Sequence, residues 1–387
     1  MQVYYNINAN FSRLKAKGLK GRYITNAHIE PLLKQLPKEF FYKIIGRSEL
    51  GKPIYAVKVG KGLKKVLIWS QMHGNESTST KALFDFLISI DTMGFKDCLD
   101  YCQLLVIPIL NPDGATSYTR GNANGIDLNR DAQARSQLES RVLRDTFDDF
   151  NPDFCFNMHD QRSIYGVGNT KLSAVMSFLA PAQDSDCNVT VNRKMAMGLI
   201  QHINSVLQLF IPNQVARFND TFNFNCVGDC FQSLGVPTLL FEAGHYKDDY
   251  SREESRKYTL LALLSALDGI KSNLEIVSST TAYFNIPENT SNFFDVLIRN
   301  TRISDDKSKT IDIGICYNEV LVANQIKFNA VVKSIGDLKH FSGHQIIDAD
   351  NKLLELAENQ NLELGSAIGE FFIKNKKITL LDKNNSA

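Results

Sequence analysis

Runs of apolar residues broken by polar stops organise the first two-thirds of this chain. Between residues 40 and 60, "FFYKIIG" and "PIYAVKVG" are strand-like runs, and the "LGKP" between them is a turn signal. "KKVLIWSQ" (64 to 71) has the texture of a buried strand. From about Ser77 the apolar residues Leu83, Phe84, Phe86, Leu87 and Ile90 share one side of a predicted helix. "CQLLVIPIL" (102 to 110) predicts another buried strand, running into "NPDG", a strong turn. A polar loop, "YTRGNANGIDLNRDAQAR", precedes a helix predicted over 136–149, and "PDFCFNMHD" reads as a short strand ending on His159. "AVMSFLAP" predicts a further strand and 190–208 a helix. "GVPTLLFEAG" is a strand ending on Glu242, followed by a helix over 252–271.

Short apolar strands alternating with helices predict an α/β fold, with a mixed, largely parallel twisted sheet flanked by helices. Functional groups in such sheets gather beyond the carboxyl ends of the strands. His73, the "NPDG" loop, His159 and Glu242 all fall at or just past such ends. Beyond about residue 273 the texture changes. "STTAYFNIPE", "FFDVLIRNT", "TIDIGICYN" and "QIKFNAVVKSIG" are β-type runs between polar turns. They predict a first domain over 1–273 and a small β-rich C-terminal domain over 274–387, with "DKNNSA" frayed at the end.

Composition narrows the class. The chain has 387 residues, 43% hydrophobic and 22% charged, as in soluble globular proteins. A formal net charge of +1 gives no global attraction to nucleic acid or an anionic membrane. No apolar run approaches the roughly 20 residues of a membrane helix. "MQVYYNINANFSRLKAKG" lacks the apolar core of a signal peptide, so a cytoplasmic location is expected. Seven scattered cysteines argue for reduced thiols over a disulfide framework. Cys98 and Cys102, like Cys226 and Cys230, are four apart, without the usual two-residue gap of structural zinc sites, and read as thiols.

"QMHGNEST" (71 to 78) carries two readings. His73 and Glu76 hold a metal at a strand-to-helix turn, with Gly74 letting the backbone bend and the first helical turn aiming Glu76 back. Alternatively, Asn75 or Ser77 caps the helix and His73 fills a loop. Spacing alone decides neither. His159 would complete two imidazoles and a carboxylate, a common set for catalytic zinc with one open position. "GIDLNRD" places Asp127, Asn129 and Arg130 in a loop, where an Asn-Arg pair suits a carboxylate. Asp127 suits the second N–H of a metal-bound histidine. Arg120 is a second cation, placed to stabilise an oxyanion. Glu242 ends an apolar strand, a costly place for a carboxylate that is neither used nor paired. It would serve as general base.

In this order the residues resemble the zinc carboxypeptidases, or metallocarboxypeptidases, over roughly residues 28 to 270. The resemblance rests on "HGNE", on "NPDG" followed by "R…GIDLNR", on "NMHD" and on "LLFEAGH". It implies the fold of that family and one Zn²⁺ per chain, held by His73, Glu76 and His159. It further implies Glu242 as general base, Arg120 as oxyanion stabiliser, Asn129 and Arg130 as the grip on a substrate's terminal carboxylate, and Asp127 behind the first histidine. The implied reaction is hydrolysis of a C-terminal peptide bond. The expected partner is a peptide or small amide with a free carboxylate; no nucleic-acid or membrane partner is expected.

The chain departs from the family at several points. Asn75 stands where many secreted members carry Arg, Asp131 follows Arg130 in place of Asn, and "DQ" follows His159 in place of a Ser-aromatic pair. Tyr165 and Tyr246 are candidates for a substrate-capping tyrosine. Two rival functions stay open. One is an amide hydrolase of the aspartoacylase and succinylglutamate desuccinylase type, which shares "HGNE" and "DLNR". The other is a catalytically dead binding protein. "NPDG" and the length of chain before the third ligand favour the peptidase; the intact ligand set and Glu242 weigh against a dead scaffold. His245 stands close enough to orient the base or line the pocket. His28, His202, His340 and His344 have no partner pattern. Trp69 reads as core, Asp113 as a turn-former and Arg162 as a solvated surface cation.

Overall fold

A computed structural model of the chain describes residues 1–273, 280–304, 309–357 and 362–380. Up to residue 243 the strands are β1 (Phe41–Arg47), β2 (Pro53–Val59), β3 (Lys64–Ser70), β4 (Cys102–Ile107), β5 (Phe154–Asp160), β6 (Tyr165–Val167), β7 (Met176–Leu179), β8 (Val215–Arg217) and β9 (Thr238–Ala243). All except β6 join one eight-stranded sheet in the order β1-β2-β4-β3-β5-β9-β7-β8. Its centre, β4-β3-β5-β9, is parallel. The β1–β2, β2–β4 and β7–β9 pairs are antiparallel. The sheet is therefore mixed and largely parallel at its core.

The helices are α1 (Gln2–Leu14), α2 (Asn26–Leu33), α3 (Thr78–Met93), α4 (Cys98–Tyr101), α5 (Pro112–Ser117), α6 (Leu138–Phe150), α7 (Val191–Leu207), α8 (Val227–Ser233) and α9 (Glu253–Lys271). They cover both faces of the sheet. On β3, Val66 and Ile68 point into a core shared with Phe84 and Leu87 of α3, Leu199 of α7 and Leu263 of α9. Leu67 and Trp69 point the opposite way, against Leu143 and Phe147 of α6 and Phe231 of α8. The period of two along a strand buried on both faces explains the unbroken apolar run.

Two short elements differ from expectation. "NPDG" opens α5, because Asn111 Oδ1 accepts from the Gly114 N–H at 2.8 Å and Pro112 takes the first helical position. "STTAYFNIPE" contains the helix α10 (Thr280–Phe284), with its first residue, 279, outside the described residues. Tyr283 is buried in the α3/α7/α9 core and its hydroxyl accepts from the Ala180 N–H, at 3.1 Å. Tertiary packing thus overrides the β-type composition there.

The rest is β-rich. β10 (Asn289–Ser291) pairs with β6. β11 (Phe293–Thr301), β12 (Ile311–Val322), β13 (Gln325–Gly336) and β14 (Ser342–Asp348) form a four-stranded sheet in the order β13-β12-β11-β14. β15 (Leu354–Leu356), β16 (Glu370–Ile373) and β17 (Lys376–Thr379) form a third sheet. Val296, Ile315, Val332 and Phe371 centre a core of their own. The "DKNNSA" segment lies outside the described residues. Among the described residues no helix is long and apolar enough to cross a membrane.

Candidate metal centre and active site

Chain geometry after β3 is set by a buried glutamine. Gln71 adopts a left-handed φ of 46°, and its amide donates to the Ile24 and Gly74 carbonyls, each at 2.9 Å. His73 follows. Gly74 is not required by the bend, since its φ is not left-handed. It is required by proximity: a Cβ there would sit 1.9 Å from the Gly114 carbonyl carbon and 2.1 Å from the Ala115 nitrogen in α5. Neither Asn75 nor Ser77 caps α3. Ser77 Oγ donates instead to the Arg22 carbonyl at 2.6 Å. Asp160, next to His159, supplies the cap, accepting from the Thr78 N–H at 3.2 Å and the Thr78 hydroxyl at 2.6 Å.

That turn brings three buried groups together. His73 Nδ1 lies 2.9 Å from Glu76 Oε1, and His159 Nδ1 lies 2.9 Å from Glu76 Oε2. The two Nδ1 atoms are 3.1 Å apart, and the three groups' donor atoms all fall within 4.8 Å of one another. His73 Nε2 faces Asp127 Oδ1 at 2.9 Å. Donation from Nε2 to Asp127 leaves Nδ1 of the neutral ring as a bare lone pair, pointing at a carboxylate and a second imidazole. With His159 Nδ1 as a second lone pair, the three groups converge on a space that suits a cation. An N₂O donor set with these separations fits zinc, whose tetrahedral ligands at about 2.0–2.1 Å stand roughly 3.3 Å apart.

The electrostatics agree with that fit. Burial opposes ionisation of Glu76, yet His73 and His159 hold its carboxyl well below the usual carboxylate range. Burial pushes His159 below the ordinary histidine value, towards the neutral ligand form. For His73, burial works downward but the Glu76 and Asp127 carboxylates pull it up.

The flanking loop carries the other residues singled out from sequence. Asp127 Oδ1 also accepts from the Asn129 N–H at 2.9 Å, shaping the one-turn 3₁₀ helix Leu128–Arg130. Arg120 is about half exposed, with Nη1 3.2 Å from Glu76 Oε1 and Nε 3.1 Å from Asp127 Oδ2. Asn129 Oδ1 accepts from the Val227 N–H at 2.9 Å, fastening the loop to the start of α8. Arg130 Nη1 donates to the Asn129 carbonyl at 2.7 Å and to Cys226 Sγ at 3.1 Å. Asp131 accepts from the Ser136 and Gln137 N–H groups, both at 3.0 Å, a structural use. Glu242 sits directly across the parallel β5–β9 pair from His159. Burial, then the Glu76 and Asp160 carboxylates, raise it well above the ordinary glutamate value. Its carboxylate accepts no hydrogen bond from the described residues.

His73, Glu76, Arg120, Asn129, Arg130 and Glu242 line a cavity of about 370 Å³. Tyr165 lines it; Tyr246 instead packs against Tyr258. His245 packs between Tyr250 and His344 and lines no part of this cavity. Trp69 is core and Asp113 accepts from the Leu50 N–H at 3.0 Å. Sequence reasoning missed Asn157 and Asp229, which line the cavity too. Asn157 was findable, two residues before His159 and so on the same side of β5. Asp229 has no local signal; burial raises its carboxyl to about 6.

A model of the zinc carboxypeptidase family matches residues 25–190, the stretch holding His73 to His159 and ending before Glu242. Carboxypeptidase 2 of Trichophyton rubrum is 28% identical over 101 residues, 25% of this chain and 19% of that protein. Carboxypeptidase 2 of Trichophyton tonsurans is 26% identical over 125 residues, 31% of this chain and 22% of that protein. The matches thus span about a fifth of the length of these curated relatives. The fold is similar to a metallo-carboxypeptidase from Burkholderia cenocepacia, with a TM-score of 0.51 and 19% identity over 64% of this chain and 68% of that one. It is also similar to a metallo-carboxypeptidase from Pseudomonas aeruginosa, with a TM-score of 0.53 and 15% identity over 65% of this chain and 70% of that one.

Proposed function

We propose that this chain, whose residues 25–190 match the zinc carboxypeptidase family, hydrolyses the C-terminal peptide bond of peptides. One zinc ion per chain would be held by His73, Glu76 and His159. The observation that carries this reading is the convergence of two imidazole nitrogens and a carboxylate, with Glu242 across the strand pair from His159. Bound zinc supplies Lewis acidity towards a carbonyl and acidifies water at its open position.

The chain's own residues do the rest. Asp127 accepts from His73 Nε2 and fixes the tautomer that leaves Nδ1 free to coordinate. Glu242 takes the proton of the attacking water and returns it to the leaving amine. Arg120 stabilises the oxyanion beside Glu76. Arg130, with Asn129, grips the substrate's terminal carboxylate through the planar guanidinium fork, turning binding into alignment. In this reading residues 1–273 carry the catalytic machinery, α10 and β10 pack on them, and the strands from β11 onward form a β-rich second unit.

The test joins metal analysis to turnover. Wild type should carry one zinc per chain and cleave blocked dipeptides. Glu242→Gln should keep the zinc and lose about 10²–10⁴ in turnover. Normal activity in that variant removes Glu242 from the mechanism. Hydrolysis of N-acetyl-aspartate in preference to every blocked dipeptide would replace the peptidase with the amide hydrolase.

A further inference from the structure

A second chamber of about 520 Å³ adjoins the cavity that holds Glu242. Glu76, Arg120, Asp160, Gln161 and Arg162 line both, so the two are halves of one cleft divided at the metal cluster. Asn129 and Arg130 lie only on the Glu242 side. A peptide whose terminal carboxylate is gripped there must lay the residue before the scissile bond in the other half. This direction rests on the peptidase reading.

The far wall of that half comes from β12, through Tyr317, Asn318 and Glu319. The wall is fastened to the large sheet's surroundings. Arg22 Nη1 meets Glu319 Oε1 at 3.0 Å, and the Tyr118 hydroxyl donates to the other Glu319 oxygen. Asp295, on β11, accepts from the Tyr250 hydroxyl at 3.0 Å and from the Tyr317 N–H at 2.8 Å. His344 Nε2 lies 2.8 Å from the Ser163 carbonyl.

Charge in the chamber is uneven. Arg22, Arg120, Arg162 and Arg252 face three carboxylates. Glu76 belongs to the metal cluster, one oxygen of Asp160 caps α3, and Glu319 holds Arg22 and Tyr118. Arg252 is committed to the Ala243 and Gln161 carbonyls, at 3.0 and 2.9 Å. Arg162 is exposed and makes no hydrogen bond or ion pair among the described residues. An uncommitted guanidinium in a chamber with excess positive charge suits a carboxylate.

We propose that β12 and Arg162 build a subsite for an acidic residue immediately upstream of the scissile bond. The C-terminal sheet is then a wall of the active site, and the favoured substrates are peptides with glutamate or aspartate in the penultimate position.

The test uses the full zinc-loaded Glu242→Gln chain as a substrate trap, with N-acetyl-Glu-Lys and N-acetyl-Gln-Lys titrated by calorimetry. The glutamyl peptide should bind about tenfold tighter, and adding Arg162→Gln should erase most of that ratio. Asn318→Trp, an exposed position on β12, should weaken both peptides by filling the chamber. Equal affinities, an unchanged ratio in Arg162→Gln, or no binding of either peptide overturns the subsite. The peptidase reading is scored separately by wild-type turnover. Cleavage of both peptides at equal efficiency sinks the subsite alone. A preserved binding preference without cleavage of any dipeptide sinks the peptidase alone.

Discussion

Asp229→Asn is the substitution whose outcome follows most directly from the structure. Asp229 sits in α8, lines the cavity beside Arg130 and is only 7% exposed. Burial raises its carboxyl from 3.8 to about 6, against weak help from the Asn223 N–H at 3.4 Å and from Arg193 and Arg130. That displacement corresponds to about 3 kcal/mol of disfavoured charge. The folded state holds the proton more tightly than the unfolded chain. Stability from this group is therefore full below 3.8 and lost as pH rises through about 6. Asparagine carries no charge to bury. Asp229→Asn should match wild type at about pH 4 and exceed it by about 2–3 kcal/mol at about pH 7.5, read from urea unfolding at both values.

The same carboxylate gives the cavity floor a reason to take a cation. A C-terminal lysine docking there would recover part of the cost of the charge. Asp229→Asn should lower kcat/KM for peptides ending in lysine by about 10–100-fold relative to peptides ending in leucine. A variant less stable than wild type at neutral pH, or a stability difference that ignores pH, refutes the unpaired-carboxylate account. An equal loss on both peptides refutes the cation site.

Three further outcomes are expected. Arg256→Met should cost about 3–5 kcal/mol in urea unfolding, because its bidentate partner Asp85 (2.5 and 2.6 Å) is left as a buried charge with only the Ala16 N–H. The double variant with Asp85→Leu should recover most of that loss. Gly74→Ala should abolish stoichiometric zinc while leaving the far-ultraviolet circular dichroism intact, since its Cβ meets α5 backbone beside His73. Arg130→Ala should reduce kcat/KM about 30–100-fold on peptides with a free terminal carboxylate and little on C-terminal amides.

Much of the central sheet was legible because its strands announce themselves. The unbroken run of β3 is what a strand with two buried faces requires, and Val66, Leu67, Ile68 and Trp69 divide between two cores. His73, Glu76 and His159 stood out as polar stops at strand ends, and they lie together in the structure. What stayed hidden depends on contacts distant in sequence. Gly74 looked like a hinge, but its constraint is the approach of α5. Asp160 looked like a departure from a motif and is the cap of α3. α1 and α2 carry no marked pattern, and Asp229 gains its character only from burial at the cavity. Arg162 read as a solvated cation because nothing local reveals that β12 stands across from it.

Topology explains why the cluster forms where it does. From β3 the chain passes through α3, on one face of the sheet, to β4 on one side of β3. It then returns through α6, on the opposite face, to β5 on the other side. Strand order reverses at β3, so the connections leaving the neighbouring strands β3 and β4 go to opposite faces and open a crevice, which the carboxyl ends of β3 and β5 border. His73 and His159 occupy those ends, and the loop after β4 crosses above them with Arg120, Asp127, Asn129 and Arg130. Glu242 arrives from β9, the next parallel neighbour. Each group therefore comes from a different crossing of the sheet. Shifting β5 by one residue against β3 would turn His159 to the other face. The β3–β5 register, which pairs Ser70 with Met158, thus controls the candidate metal site as directly as any ligand.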